Sequence, residues 1–374
     1  MDTSLYIHIP FCRQRCIYCD FYSAIYKENV ASEYIDVIIE QTKNLAYSIP
    51  TLYIGGGTPT VLSREIMTGL LKSLAKYSEK ASEFTIEANP ESLTEDKLKL
   101  MRDLGVNRIS IGVQSFDGRK LKALGRIHTA KKAEDAVRMA SRNGFKNISI
   151  DIIFGAWMEN PESWKKELDK AAALPVTHVS CYGLTYEKSA PLFQAVKNKS
   201  VVPLDDEVVA SMYECAIETL SVRGFKQYEV SNFAKEGFRC LHNIRYWDNE
   251  PYVGLGASAV SYIDGVRAKN VADVAEYIER FHDNRFLIES SEKLSPLRRA
   301  KETAAIKIRT KDGVDFKWFR DKTGFDFQEL EHKVLPRLVE DGLVKYIKED
   351  NIPTGIALKR KGFLFCDTVS SALL

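Results

Sequence analysis

The chain has 374 residues, room for two or three domains at roughly 100 to 200 residues each, and its 45% apolar and 28% charged residues are those of an ordinary globular protein. With 53 Lys and Arg against 51 Asp and Glu, the net charge of +2 sets up no global field for nucleic acid or an acidic membrane, so no nucleic-acid partner is expected. The start, MDTSLYIHIPFC, lacks a basic region, a long apolar run and a small-residue cleavage site, and no later stretch holds about 18 consecutive apolar residues; the expected place is the cytoplasm, where thiols stay reduced.

Short β-rich runs alternate with helical patterns as far as about residue 186. The runs are Leu5–Ile9, Thr51–Ile54, Glu83–Asn89, Arg108–Gln114, Ile148–Gly155 and His178–Tyr186. The segments between them carry helix periodicity, with Ser63 and Thr94 placed as caps and Gly105 as a stop. Six strands joined by five helices predict parallel βαβ units, hence an α/β fold. That is too few for a closed eight-fold barrel of about 250 residues, so a partial (β/α)6 barrel is expected, with a doubly wound sheet as the alternative. Either fold puts its site where strands end. There the chain offers a cysteine loop, the Gly55–Pro59 run GGGTP, Glu87 and Asn89, Gln114, Asp151 and Tyr182.

The period changes beyond residue 200. A helix over Asp205–Gly224, a strand over Lys226–Phe233 and a Gly-rich aromatic stretch to Tyr262 read as a second module. From Ser295 come helices and then a hairpin around Asn351–Thr354, an order that suggests a winged-helix-like end. Its last helix, Gln328–Gly342, carries Glu329, Glu331, Glu340 and Asp341, which favours packing or docking over DNA binding. The expected division is 1–190 barrel, 191–290 extension and 291–374 C-terminal helical, winged-helix-like module.

Of seven cysteines, Cys12, Cys16 and Cys19 lie within eight residues. Disulfides pair thiols in twos and a structural zinc takes four ligands, so an odd trio leaves a position open. Two readings follow: zinc with a further ligand such as His8, or an iron-sulfur cluster, which wants four thiolates and here would keep one iron open.

The C-x3-C-x2-C spacing after a first strand, with Tyr18 before the last cysteine, resembles the signature of radical S-adenosylmethionine (radical SAM) enzymes. YIHIPFC, GGGTPT, SIGVQSF, DIIFG and GLGASAVSY extend the likeness over nearly the whole chain, to the oxygen-independent coproporphyrinogen III oxidase family and its haem-chaperone branch. The resemblance implies a [4Fe-4S] cluster on Cys12, Cys16 and Cys19. S-adenosylmethionine (SAM) would chelate the open iron, and an electron from the cluster would split it to methionine and a 5'-deoxyadenosyl radical. Tyr6 and Tyr18 would flank SAM; Gly56, Gly57 and Thr58 would line its methionine and ribose; Glu87, Gln114, Arg126 and Asp151 would add polar contacts. Glycines suit this because they let backbone approach a ligand closely.

Two features bear on the branch. Phe21 stands where the oxidases carry a fourth cysteine, and HNIRYW, His242–Trp247, matches the H-N-x-x-Y-W motif associated with haem in the chaperones. His242 would then be an axial haem ligand in a loop of the second module, with Cys240 the next candidate. The remaining histidines, His8, His128, His178, His282 and His332, read as structural or solvent-facing. The implied partners are haem, a haem-accepting protein with possible peripheral membrane association through it, and an electron donor. The alternative function is oxidative decarboxylation of coproporphyrinogen III. A third is an interaction protein that keeps a vestigial cluster for folding.

Overall fold

A computed structural model describes residues 2–374. The six expected strands are present: β1 (Ser4–Ile9), β2 (Thr51–Gly56), β3 (Glu83–Ala88), β4 (Arg108–Gln114), β5 (Asn147–Phe154) and β6 (His178–Gly183). They pair in parallel and in chain order, each followed by one or more helices that cover the sheet. Side chains alternate along a strand, and the sequence uses that alternation to make two unlike faces. Leu5 and Ile7, Leu52 and Ile54, Phe84 and Ile86, Ile109 and Ile111, and Ile148 and Ile150 belong to the apolar core. The intervening residues are Tyr6, Tyr53, Thr85, Glu87, Ser110, Ser149, Asp151 and Ser180. They share the other face in register, as Tyr6 pairs with Tyr53, Glu87 with Ser110 and Asp151 with Ser180. The concave side is therefore a polar, ligand-sized space rather than a packed core.

The expected caps hold the helices at the apolar face. Ser63 accepts from the Ile66 N–H and Thr94 from the Lys97 N–H, while Gly105, at φ 91°, ends its helix.

Residues 191–290 join the barrel sheet at both of its edges. β7 (Tyr252–Leu255) pairs in parallel with the free side of β1, and Val260–Ile263, Val266–Asn270 and Ile288–Lys293 extend it as an antiparallel meander. At the other edge β6 is continued by Asn232–Ala234 and Lys226–Gln227. Lys226–Phe233, expected as one strand, is thus a hairpin. The resulting 12-stranded sheet ends at Ile288–Lys293 and Lys226–Gln227 and does not close on itself.

The C-terminal module has helices Pro296–Lys307 and Phe316–Thr323, four shorter ones, and a three-stranded sheet with Ile352–Leu358 in the middle, a winged-helix-like order. The single helix expected over Gln328–Gly342 is broken into Phe327–Leu330 and Leu335–Glu340. Pro336, which has no N–H to continue the first helix, sits instead in the opening turn of the second. The wing turn is Asp350–Asn351, both at positive φ and flanked by the Glu349–Ile352 pair, one residue earlier than expected. The module grips the chain just after the HNIRYW segment: Lys307 pairs with Asp248 at 2.5 Å, Lys322 with Glu250 at 2.7 Å, and Asn249 Nδ2 donates to Thr303 Oγ1 at 3.0 Å.

The loop that carries Arg126 from β4 to the barrel mouth is anchored by a buried cation. Lys120 Nζ donates to the Ile153 carbonyl and to Glu159 Oε1, both at 2.5 Å, and meets Glu167 Oε2 at 3.3 Å, while Ser115 Oγ donates to Glu167. Removing one member of such a group leaves buried charge uncompensated. Lys120→Ala is therefore expected to lower stability by about 3–5 kcal/mol, read as a shift of the urea unfolding midpoint, whereas Lys131→Ala, whose ion pair is exposed, should stay near wild type.

Candidate functional site

The loop after β1 is stitched to the end of β2. Gly57 N–H donates to the Ile9 carbonyl and Thr58 N–H to that of Phe11, each at 2.8 Å. Every glycine of the triplet has its own neighbour. A Cβ on Gly55 would come within 2.9 Å of the Glu87 carboxyl; one on Gly56, at φ 112°, within 2.6 Å of the His8 ring; one on Gly57 within 2.8 Å of the Phe11 carbonyl and 3.0 Å of Cys12 Sγ. GGG is thus a packing requirement of the cysteine loop, not only a turn.

Cys12, Cys16 and Cys19 line one pocket with Gly57, Thr58 and Arg126. Cys12 Sγ lies 3.5 Å from Thr58 Oγ1, Thr58 Oγ1 accepts from Asn89 Nδ2 at 2.7 Å, and Asn89 Oδ1 accepts from Arg126 Nη2 at 2.6 Å. Arg126 Nη1 then reaches Cys16 Sγ at 3.5 Å, so one hydrogen-bonded chain ties two of the three thiols together. Burial pushes the Cys12 and Cys19 thiols up, so without a metal they are held protonated and loading releases protons. Among the described residues no three Cys, His, Asp or Glu side chains converge as ligands of a single ion. A four-iron cluster, which bonds each thiolate to a different iron, fits this spread set. His8, the fourth ligand of the zinc reading, is not in the cysteine pocket. Its Nδ1 is 2.9 Å from Tyr6 Oη, and its ring packs on Gly56.

Beside the thiols opens a cavity of about 540 Å³. Tyr18, Gly56, Gly57, Thr58 and Arg126 line it near the cysteines; Glu87, Gln114 and Asp151 line it further in. Tyr6 does not join them. Its ring stacks on Tyr53 and lines a different cavity on the far side of β1. Glu87 accepts from Tyr53 Oη at 2.8 Å and from Gly56 N at 3.0 Å, and burial, with Asp151 nearby, pushes its carboxyl up to about 7. Asp151 is also raised by burial and accepts from Ser110 Oγ at 3.3 Å. These acids can meet an ammonium or ribose hydroxyls, and a bound cation would draw Glu87 back toward the charged form. Gln114 sits at φ 61°, a left-handed conformation that is uncommon outside glycine. Phe21 lies at the mouth, 70% exposed.

Asn89, expected at the barrel mouth from its place at the end of β3, proves to be the link between Thr58 and Arg126. Tyr53 is a site residue that the sequence reading passed over; its signal was a two-residue offset from Gly55 on the inner face.

At the opposite end of the strands His242 lies in the helix Leu241–Trp247, not in a loop, and is 1% exposed. The reason is Glu83 at the start of β3. Its carboxylate accepts from the Leu241 and His242 N–H groups at 2.9 and 3.1 Å and from Cys240 Sγ at 3.4 Å, capping a helix whose own first residue offers no side-chain cap. His242 Nδ1 meets Thr51 Oγ1 at 2.9 Å, and that hydroxyl donates to Ser4 Oγ, also at 2.9 Å. Nδ1 therefore carries the proton and donates, leaving the Nε2 lone pair buried and, among the described residues, unpartnered. Burial, then Arg245 and Arg108, lower the imidazole to about 3, so it stays neutral. Burial drives the Cys240 thiol up to about 12, an inert environment. His128 and His178 are buried in hydrogen bonds of the fold, while His282 and His332 are on the surface.

A partial barrel with three thiols at its mouth and a polar cavity beside them defines a radical SAM protein, and residues 6–171 match the radical SAM superfamily and 294–365 the HemN C-terminal domain. The chain is 34% identical to the heme chaperone HemW of Bacillus subtilis (strain 168), with 99% of each chain covered. It is 36% identical to that of Lactococcus lactis subsp. lactis, with 91% of this chain and 90% of the other covered. It belongs to the heme chaperone HemW family. Its fold is similar to that of coproporphyrinogen III oxidase (HemN) from Escherichia coli, a radical SAM enzyme, with a TM-score of 0.84 at 22% identity, covering 100% of this chain and 90% of that one. Membership of the superfamily implies a [4Fe-4S] cluster and SAM.

Anaerobic reconstitution should load about four irons per chain, as one such cluster requires. Cys16→Ala should lose that iron and its visible absorption while far-UV circular dichroism stays unchanged; stoichiometric zinc with no iron-linked absorption would refute the assignment.

Proposed function

We propose that this chain binds a [4Fe-4S] cluster through Cys12, Cys16 and Cys19, SAM in the adjoining cavity, and haem at the HNIRYW segment, and that it delivers haem to an acceptor protein. The observation that carries the haem half is His242: a neutral imidazole whose Nδ1–H is fixed by Thr51 and whose Nε2 lone pair has no partner. A metal-binding histidine is held in this way, its second nitrogen donating to a neighbour. Family membership supports the same reading, since the relatives of Bacillus subtilis and Lactococcus lactis are heme chaperones.

Within the SAM site the chain's own residues bind and orient. Glu87 and Asp151 face the cavity as acceptors, Gly56 and Gly57 bring backbone close, and Arg126 holds Asn89 and Cys16 in place. The cluster, when bound, supplies the electron that cleaves SAM. Tyr6 contributes from behind, through Tyr53 against Glu87 rather than by direct contact with the cavity. The setting proposed is cytoplasmic, with an electron donor for the cluster and an acceptor that brings the protein to a membrane surface; among the described residues no helix is long and apolar enough to cross a membrane.

Oxidative decarboxylation of coproporphyrinogen III is the second reading. Likeness of fold to the Escherichia coli oxidase does not favour it, because one fold hosts many activities. Phe21 at the mouth speaks for the chaperone branch.

Two outcomes test the proposal. Reduced, reconstituted protein with SAM should show no multiple turnover of coproporphyrinogen III to protoporphyrinogen IX, and detectable turnover would move the chain to the oxidase branch. His242→Ala should weaken haem binding about tenfold or more and shift the haem absorption, with iron-sulfur content and SAM binding intact; unchanged affinity and spectrum would remove His242 as the ligand.

A further inference from the structure

Asn89, directly after β3, stands between two side chains that each reach a thiol. Its Nδ2 donates to Thr58 Oγ1 at 2.7 Å, and its Oδ1 accepts from Arg126 Nη2 at 2.6 Å. The first bond uses the Thr58 hydroxyl as an acceptor and leaves its own proton to point elsewhere; Cys12 Sγ, 3.5 Å away, is the partner in reach. Thr58 is buried, which keeps water from taking that proton. The second bond, with the Gly112 carbonyl at 3.0 Å from the same nitrogen, sets the plane of the guanidinium, so that Nη1 meets Cys16 Sγ at 3.5 Å. One amide therefore aims an O–H at one thiol and a charged N–H at another. Its orientation is forced: turned over, the amide would set its NH2 group against the Arg126 donors and take the Thr58 proton for itself. Cys19, the third thiol, meets the Phe21 backbone N–H instead.

We infer that Asn89 is a positioning residue that sets the reduction potential of the cluster, by directing Thr58 and Arg126 as hydrogen-bond donors to the thiolates of Cys12 and Cys16. The inference rests on the reading that Cys12, Cys16 and Cys19 hold a [4Fe-4S] cluster. Hydrogen bonds to the sulfurs are among the levers that set such potentials. The sign follows from charge. The electron that reduces the cluster adds negative charge to the iron-thiolate unit, so donors at its sulfurs stabilise the reduced form more than the oxidised one and raise the potential. Bonds in a chain also polarise one another. The Arg126 charge on Asn89 Oδ1 makes Nδ2 a stronger donor to Thr58, and Thr58 in turn a stronger donor to Cys12. Asn89 thus couples the two donors, and its own effect on the cluster passes through them.

The test is a redox titration of the reconstituted full-length chain without SAM, followed by electron paramagnetic resonance of the reduced cluster, with iron content and far-UV circular dichroism as controls. Leaving SAM out keeps any lost contact to it from moving the reading. Asn89→Ala and the nearly isosteric Thr58→Val should each keep their iron. Each should shift the midpoint to more negative values, by about tenfold in the reduction equilibrium, or about 59 mV for one electron. Asn89→Asp should shift it the same way, since its carboxylate would draw the Thr58 proton from Cys12. In the double variant Asn89→Ala, Thr58→Val the shift should fall short of the sum, because the two side chains act through one chain of bonds. An iron-loaded Thr58→Val or Asn89→Ala protein with the wild-type potential overturns the inference, as do two shifts that add in full. If the Asn89 variants lose their iron, Thr58→Val decides alone: a negative shift supports the inference and an unchanged potential overturns it. A wild-type chain that loads no iron defeats the cluster reading itself.

Discussion

The contact on which the rest of the molecule depends is that between the glycine triplet ending β2 and the cysteine loop following β1. Two backbone hydrogen bonds, from Gly57 to Ile9 and from Thr58 to Phe11, fix the loop over the barrel mouth. They can form because no side chain stands between the Glu87 carboxyl, the His8 ring and the Cys12 loop. Closure at this point places Cys12 beside Thr58, and the chain of Thr58, Asn89 and Arg126 then reaches Cys16. An added methyl group would have to move one of those layers, and in a well-packed interior such shifts cost about 1–3 kcal/mol. The cluster site is thus an outcome of strand packing rather than a loop placed on a finished barrel.

The barrel treats its two ends differently. At the mouth, buried acids face an open cavity, and burial favours the protonated thiols of Cys12 and Cys19 until metal arrives. At the floor, Glu83, Thr51 and Ser4, all at strand starts, hold the helix of His242 through its backbone and ring. The C-terminal module lines neither the cysteine pocket nor the SAM cavity, but it lends Ile306 to the cavity that Tyr6 lines and clamps Asp248, Asn249 and Glu250 directly after that helix. The module thus bears on the HNIRYW helix and not on the cysteine loop.

Much of this was legible in the sequence. The βα alternation, the caps at Ser63 and Thr94, and the C-x3-C-x2-C loop are local signals, set by residues near one another in the chain, and the structure has them where they were expected. What escaped was non-local. Nothing in GLGASAVSY announces that the strand running into it pairs with β1, since a parallel pairing between residues 4 and 252 depends on the sheet having a free edge there. HNIRYW looked like a loop because its helix is capped from Glu83, more than 150 positions away in the chain. Tyr6 sits in a motif shared with the family and on the same face as Tyr53 and Glu87, yet its ring packs on Tyr53 and lines the cavity on the β7 side of β1 instead of the SAM pocket. Asn89 was expected only as a polar strand-end residue, because its role exists only once Thr58 and Arg126 arrive from other parts of the chain.

The central claim is that three thiolates leave one iron of the cluster open to SAM in the cavity shared by Gly57, Glu87 and Arg126. Electron paramagnetic resonance of the reduced, reconstituted protein, recorded before and after adding SAM, tests it most directly. A clear change in the cluster signal on addition of SAM, lost in a Glu87→Ala, Asp151→Ala double variant that still holds its iron, is the predicted result. A signal indifferent to SAM in the wild-type protein would contradict the account.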